Sequence, residues 1–300
     1  MKTPYRGRFA PSPTGPLHFG SIVAAVGSYL QAHSQGGEWL VRIEDIDPPR
    51  ETPGAVDAIL HSLERLGLGW DGAIVYQSHR SGAYLDAIDD LRRDDRLYAC
   101  QCSRKDLAAR HPPDAPPLIY DGHCRRINPD PTRPAALRLI TEAKRLVFDD
   151  PLRGSVAQDL AIEVGDFIIR RADGLFAYQL AVVVDDAAQG ITEIVRGADL
   201  LDNTPRQIYL QSLLGLPTPR YVHLPVAINP QGQKLSKQTG AASIDQVRPQ
   251  QLIIQGLEFL GQQPPAELVD ATLDELWHWA IASWRLDRVP RHDQLAPETG

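Results

Sequence analysis

The stretch Arg8-Phe9-Ala10-Pro11-Ser12-Pro13-Thr14-Gly15-Pro16-Leu17-His18-Phe19-Gly20-Ser21 sets the architecture of the chain. Pro11, Pro13 and Pro16 fix φ and lack N–H donors, so the segment is neither helix nor central strand. On its N-terminal side, residues 5–10 read as a short strand. On its C-terminal side Ile22, Val23, Val26, Tyr29 and Leu30 recur at spacings of three and four, which predicts a helix over 19–32 with one apolar face. Trp39, Val41 and Ile43 alternate within 38–46 and predict a second strand. Strand, irregular loop, helix and strand make a βαβ opening, the start of an α/β fold with a parallel sheet.

A loop between a strand end and a helix start suits a nucleotide, because the first helical N–H groups and the positive end of the helix dipole meet phosphate oxygens. Gly20 permits a flat ligand to approach the backbone, and His18 is placed to hydrogen-bond a phosphate. A His and a Gly at a helix start are weak evidence by themselves, and the fourteen-residue string carries more. A second constellation, Lys234-Leu235-Ser236-Lys237-Gln238, follows Asn229-Pro230-Gln231-Gly232 in an exposed loop. Two lysines three apart around a small hydroxyl residue can stabilise the charge that builds up during nucleotidyl transfer. Alone, such a loop is ordinary solvated surface; paired with the first string it reads as catalytic.

The remaining elements extend outward from this opening. Helices are expected over 53–66, before the Gly67-Leu68-Gly69 turn, and over 81–93. The texture changes at 98–133, where all three cysteines lie and His111-Pro112-Pro113-Asp114-Ala115-Pro116-Pro117 excludes helix or central strand. This reads as an inserted module. Strand-like segments at 136–140, 160–171 and 175–184 are expected to continue the sheet, 195–214 to be largely helical, and 251–260 and 273–284 to be helices. There are no internal repeats.

With 43% hydrophobic and 23% charged residues, the 300-residue chain is an ordinary globular protein large enough for a sizeable core. A formal charge of −7 argues against coating nucleic acid through bulk electrostatics. Charge is polarised, however: residues 92–145 hold 12 Lys or Arg against 7 Asp or Glu. On charge alone that stretch is either solvated surface or a patch that meets phosphates. The N-terminus leaves no room for a signal-peptide core and no apolar run reaches about 18 residues, so a cytoplasmic monomer without membrane association is expected. Cys100, Cys102 and Cys124 fall within 25 residues and suit a metal better than a disulfide, zinc being the expected ion. A fourth donor is needed, and ligand chemistry favours His123 or His111 before Tyr120.

The two strings resemble the His-x-Gly-His-type and Lys-Met-Ser-Lys-Ser-type signatures of class I aminoacyl-tRNA synthetases. Ser21 stands at the fourth position of the first signature, and Leu235 and Gln238 replace the commoner Met and Ser of the second. Within that class, Arg8 to Gly15, Arg42-Ile43-Glu44-Asp45 and Tyr178-Gln179-Leu180-Ala181-Val182-Val183-Val184-Asp185-Asp186 are similar to the glutamyl and glutaminyl branch. With Cys100-Gln101-Cys102 and Tyr120-Asp121-Gly122-His123-Cys124, and only about 60 residues after the lysine loop, the chain looks like the truncated glutamyl-Q tRNA(Asp) synthetase family.

That resemblance implies a Rossmann-type parallel sheet with helices on both faces over 1–240, the zinc module of 98–133 inserted, a helical region over 241–300 and no anticodon-binding domain. It implies ATP with Mg2+ as substrate, formation of glutamyl-adenylate without tRNA, and transfer to queuosine at the wobble position of tRNA(Asp), with the anticodon arm as partner. Alternatives are a truncated synthetase charging a tRNA 3′ end and a non-catalytic RNA-binding relative. Carried over by position, Arg8 and Arg196 hold the two carboxylates of glutamate, Glu44 its ammonium, and Ser12 and Tyr178 its orientation, with Phe9, Ala10 and Pro11 lining the pocket. His18, Gly20, Ser21 and Lys237 meet ATP, with His18, Lys234 and Lys237 catalytic. Cys100, Cys102, Tyr120 and Cys124 hold zinc. The branch usually has Asn where Val182 stands, so one contact to the substrate is missing or replaced.

Overall fold

The computed structural model describes residues 4–110, 119–127, 129–234 and 247–297. β1 (Arg6–Phe9), α1 (Phe19–Ser34) and β2 (Glu38–Ile43) form the βαβ opening, with β1 and β2 parallel and Phe9 opposite Val41. α2 (Ala55–Arg65) leads to β3 (Val75–Tyr76), which pairs in parallel with β2. α3 (Ser81–Arg93) follows. In α1 the residues Ile22, Val26 and Leu30 are fully buried. A Cβ at Gly27 would stand 2.5 Å from Leu224 Cδ1, so the glycine is what lets α1 lie this close to its neighbouring strand.

β4 (Leu97–Cys100) carries the chain into α4 (Arg104–Arg110) and α5 (His123–Arg126), and β5 (Ala136–Leu139) brings it back. β6 (Arg145–Asp150) and β7 (Gly154–Asp159) form a hairpin. α6 (Leu160–Glu163) and β8 (Phe167–Arg170) come next. The expected continuation of the parallel sheet is corrected here: β5 pairs antiparallel with both β4 and β8 as a separate three-stranded sheet. Residues 160–171 are likewise not one strand. The Asp159 side chain caps a short helix by accepting from Ile162 N, and Gly165 at φ 71° ends it before β8 begins.

The segment expected as strand at 175–184 is a helix, α7 (Tyr178–Ala188). Three consecutive valines favour a strand locally, but the helical period buries Leu180, Ala181 and Val183 against Tyr84, Ile88 and Leu91 of α3. It also sets Tyr178, Val182 and Asp186, four residues apart, along one side. The stretch expected as helix from 195 begins instead as β9 (Glu193–Gly197), and α8 (Thr204–Leu213) follows. β10 (Arg220–Leu224) pairs in parallel with β9. Thr192 N donates to Arg6 O at 2.9 Å, so β9 starts beside β1.

β11 (Ala227–Ile228) leads toward the lysine loop. α9 (Pro249–Phe259) and α10 (Leu273–Ser283) pack on α1, and β12 (Gln294–Leu295) pairs in parallel with β11. Leu252, Leu257, Leu276 and Trp277 share a core with Ile22, Val26 and Trp39. No helix among the described residues is long and apolar enough to cross a membrane.

Candidate active site

A cavity of about 700 Å3 opens where β1, β2 and β9 end. Arg8, Phe9, Ala10, Pro11 and Ser12 line it from β1 and the following loop, and Glu44 from the residue after β2. His18, Gly20 and Ser21 line it from the start of α1, Tyr178 from α7, Arg196 from β9, and Lys234 from beyond β11. Lys237, with Leu235, Ser236 and Gln238, lies outside the described residues.

At the closed end two arginines and two carboxylates are buried together. Arg8 Nε lies 3.1 Å from Asp186 Oδ1, and Arg42 reaches the same oxygen at 2.9 Å and Glu44 Oε1 at 3.4 Å. Arg42 also donates to Gln189 Oε1 at 2.6 Å, while its Nε has no partner among the described residues. Burial opposes ionisation of Asp186, but Arg42 and Arg8 outweigh it and hold the carboxyl below the usual carboxylate range. Burial raises Glu44, with Arg42 and Arg8 only partly offsetting it.

Arg196 is more committed to the protein than a two-point carboxylate clamp would be. Its Nε donates to His223 Nε2 at 3.2 Å, and one terminal nitrogen to the Tyr178 hydroxyl at 3.2 Å. The other terminal nitrogen donates to Thr204 Oγ1 at 2.8 Å and the Leu200 carbonyl at 3.4 Å. These bonds leave one of the guanidinium's N–H groups for a ligand. A two-point pairing requires a partner to yield; a one-point contact shared with Tyr178 does not.

At the mouth, His18 is the N-cap of α1, and its Nδ1 accepts from Ser21 N at 3.3 Å. With Nδ1 accepting, the neutral tautomer of the ring carries its proton on Nε2. A Cβ at Gly20 would lie 3.1 Å from His18 Cε1, so the glycine also makes room for the ring. Lys234 Nζ pairs with Asp199 Oδ2 at 2.5 Å.

The three cysteine sulfurs lie within 4.8 Å of one another, and no histidine or carboxylate joins them among the described residues. The Tyr120 hydroxyl is 3.4 Å from Cys100 Sγ and 3.9 Å from Cys102 Sγ, and accepts from Cys124 N at 2.8 Å. Three soft thiolates and one phenol oxygen fit a four-coordinate ion of the zinc type. Burial disfavours the Cys124 thiolate, yet hydrogen bonds led by that from Tyr120 bring its pKa down to about 7, while burial and the bond to Cys124 push the Cys102 thiol up. His111 lies outside the described residues. The basic stretch is thinner than its composition suggests, since Arg92, Arg93, Arg96 and Arg110 pair with Asp89, Asp90, Glu142 and Asp121.

Residues 5–274 match the family of class I tRNA synthetases (E and Q), catalytic domain. A glutamyl-Q tRNA(Asp) synthetase of Dechloromonas aromatica is 55% identical over 98% of this chain and 99% of its own length. Proteins of the same name from Chromobacterium violaceum and Pseudomonas aeruginosa are 53% and 51% identical, over 95% and 99% of this chain and the same shares of their own lengths. The chain belongs to the glutamyl-Q tRNA(Asp) synthetase family. A glutamate-tRNA synthetase from Elizabethkingia anophelis has the same fold, with a TM-score of 0.83 at 24% identity over 99% of this chain and 68% of that one.

For a member of this synthetase family, several residues at or behind the cavity wall carried no assigned role in the sequence. Arg42 and Asp186 stand inside the quoted motifs, and Asp186 lies two residues beyond the segment expected as strand, which the helix instead carries to Ala188. His223 and Asp199 had no local signal.

Proposed function

We propose that the chain activates L-glutamate with MgATP, without tRNA, and transfers the glutamyl group to the queuosine base at the wobble position of tRNA(Asp). The observation that carries this reading is one cavity with two buried arginines and a buried carboxylate at its closed end and a helix N-terminus at its mouth. Glutamate has the complementary set, two carboxylates and one ammonium. Arg8 takes one carboxylate, Arg196 with Tyr178 the other, and Glu44 the ammonium. Ser12 fixes orientation, and Phe9, Ala10 and Pro11 shape the wall.

A carboxylate oxygen of glutamate attacks the α-phosphorus of ATP and the bond to pyrophosphate breaks. His18 donates to a phosphate oxygen, while Gly20 and the Ser21 backbone let the nucleotide lie against α1. Lys237, with Lys234 assisting, neutralises the departing charge, so most of the rate comes from positioning and electrostatics. A queuosine hydroxyl then attacks the acyl carbon and AMP leaves. Cys100, Cys102, Cys124 and Tyr120 hold one structural zinc ion, which pins the segment between β4 and β5. Phosphates of the anticodon arm meet Arg125, Arg126 and Arg133 beside it.

ATP–pyrophosphate exchange across the amino acids, without tRNA, tests the first half-reaction; exchange with glutamine instead of glutamate would overturn it. Nuclease mapping of labelled glutamate on tRNA(Asp) tests the second. Label on the terminal adenosine, or equal labelling of tRNA(Asp) without queuosine, would refute the acceptor. Metal analysis should find about one zinc per chain.

A further inference from the structure

We propose that Asp150 and His223 are a positioning pair that orients the Arg196 guanidinium for glutamate, so that two residues outside the binding contacts set the affinity for the amino acid. The proposal rests on the reading of Arg196 as a glutamate ligand. Asp150 ends β6 and His223 lies in β10, and both side chains are fully buried. Asp150 Oδ1 accepts from Leu152 N at 2.8 Å and Arg153 N at 2.9 Å, and Oδ2 accepts from His223 N at 2.9 Å. The same Oδ2 lies 2.8 Å from His223 Nδ1.

An ionised carboxylate can only accept, so the ring proton belongs on Nδ1. Nε2 then presents its lone pair to Arg196 Nε at 3.2 Å, a group that can only donate, and to Thr204 Oγ1 at 3.1 Å. Tyr221, parallel to the ring at 6.2 Å between centroids, and Phe148 at 6.3 Å hold its plane. A purely structural staple between β6 and β10 needs only the bond from His223 N. The imidazole serves a further end, to pass the orientation of a fixed carboxylate to the arginine, as a residue behind a ligand does in other sites.

Protonation would point an N–H at the Arg196 N–H. The titratable and polar groups facing the ring are Arg196 from β9, Thr204 from α8, Arg153 from the hairpin turn, Tyr221 from its own strand, and Asp150. Burial, aided by Arg196 and Arg153, keeps the imidazole below its ordinary pKa although Asp150 favours the charged form. Glutamate affinity should therefore weaken only as pH falls through that depressed value.

The test is ATP–pyrophosphate exchange with KM for glutamate, KM for ATP and kcat measured for four variants, alongside thermal melting. His223→Leu removes the acceptor, His223→Gln keeps a carbonyl oxygen for it, and Asp150→Asn removes the charge that dictates the tautomer. The Leu and Asn variants should raise KM for glutamate about tenfold, the loss of one charge-assisted hydrogen bond, with KM for ATP and kcat within about twofold. His223→Gln should stay near the parent. Equal KM for glutamate in the Gln and Leu variants overturns the proposal, and these two decide alone if Asp150→Asn does not fold. Arg196→Gln with unchanged KM for glutamate would remove the underlying reading, and the proposal with it.

Discussion

The two ends of the cavity hold opposite charges together in different ways. At the closed end Arg8, Arg42, Glu44 and Asp186 are 4%, 0%, 8% and 3% exposed, and each charge was desolvated to get there. At the mouth the Lys234 and Asp199 side chains remain 49% and 33% exposed and lose little solvation. A buried pair contributes little net stability when whole and costs much when halved, whereas an exposed pair does little in either state. The closed end is therefore rigid before substrate arrives, which suits selection of a small charged amino acid. The mouth can move with phosphates whose charge shifts during the reaction.

Halving the closed network gives the largest expected effect. Asp186→Asn leaves Arg8 and Arg42 short of a counter-charge and should cost about 3–5 kcal/mol in urea unfolding at neutral pH. The pH dependence has a definite sign. Arg42 and Arg8 outweigh burial and depress the Asp186 pKa, so its stabilisation is whole above the unfolded value of about 4 and is lost as pH falls through the folded one. The variant's stability should be flatter below about pH 4. Glu44, raised by burial, acts with the opposite sign, its contribution falling as pH rises through its folded value. Acid unfolding of the variant identical to that of the parent would refute the assignment.

Next comes Lys237, which lies outside the described residues. Lys237→Ala should slow adenylate formation by about 100-fold to 1000-fold, the scale of one lost transition-state donor. KM for glutamate and urea stability should not move. A loss of glutamate binding with the chemical step intact would place Lys237 in the closed end's role and remove the contrast.

The sequence exposes the mouth better than the closed end, because local patterns carry local geometry. Pro11, Pro13 and Pro16 before an apolar repeat are enough to place a loop and α1, and hence His18 and Gly20 at a helix start. Arg42 shows the limit. Alternation in β2 puts it opposite Val41 and Ile43, on what would be a solvent face, but this strand is covered on both faces and Arg42 is 0% exposed. Asp150 and His223 are 73 residues apart and meet only because β6 packs on β10. In α7, valines that favour a strand were overruled by a core that needs Leu180, Ala181 and Val183 on a helix. The antiparallel sheet β4-β5-β8 escaped for the same reason: pairing direction is a long-range property.

A smaller effect with two opposed readouts comes from Gly20→Ala. The new Cβ would stand 3.1 Å from His18 Cε1, so the ring must shift by a few tenths of an ångström or turn from its bond to Ser21 N. Activity with ATP, as kcat/KM, should fall about tenfold because the donor to phosphate is misplaced. Stability should hold or rise by up to about 1 kcal/mol, since alanine is the better helix former. A variant that loses stability and keeps activity would mean that Gly20 serves packing and not the nucleotide.

The mildest test exchanges the mouth's counter-charge and leaves its lysine alone. Asp199→Asn keeps size and hydrogen-bonding capacity but removes the negative charge 2.5 Å from Lys234 Nζ. Both side chains are well solvated, so stability should change by less than about 1 kcal/mol. The effect on ATP is the sharper readout. If Lys234 meets the triphosphate, Asp199 competes with it for that cation and also repels the phosphates across the cavity both residues line. Its neutralisation should therefore lower KM for ATP by about twofold to fivefold at low salt, and the gain should shrink at higher ionic strength as screening shortens the reach of the charge. KM for glutamate, set at the closed end, should stay the same. A rise in KM for ATP that persists at high salt would mean that Asp199 holds Lys234 in place, and that the mouth is as preorganised as the closed end.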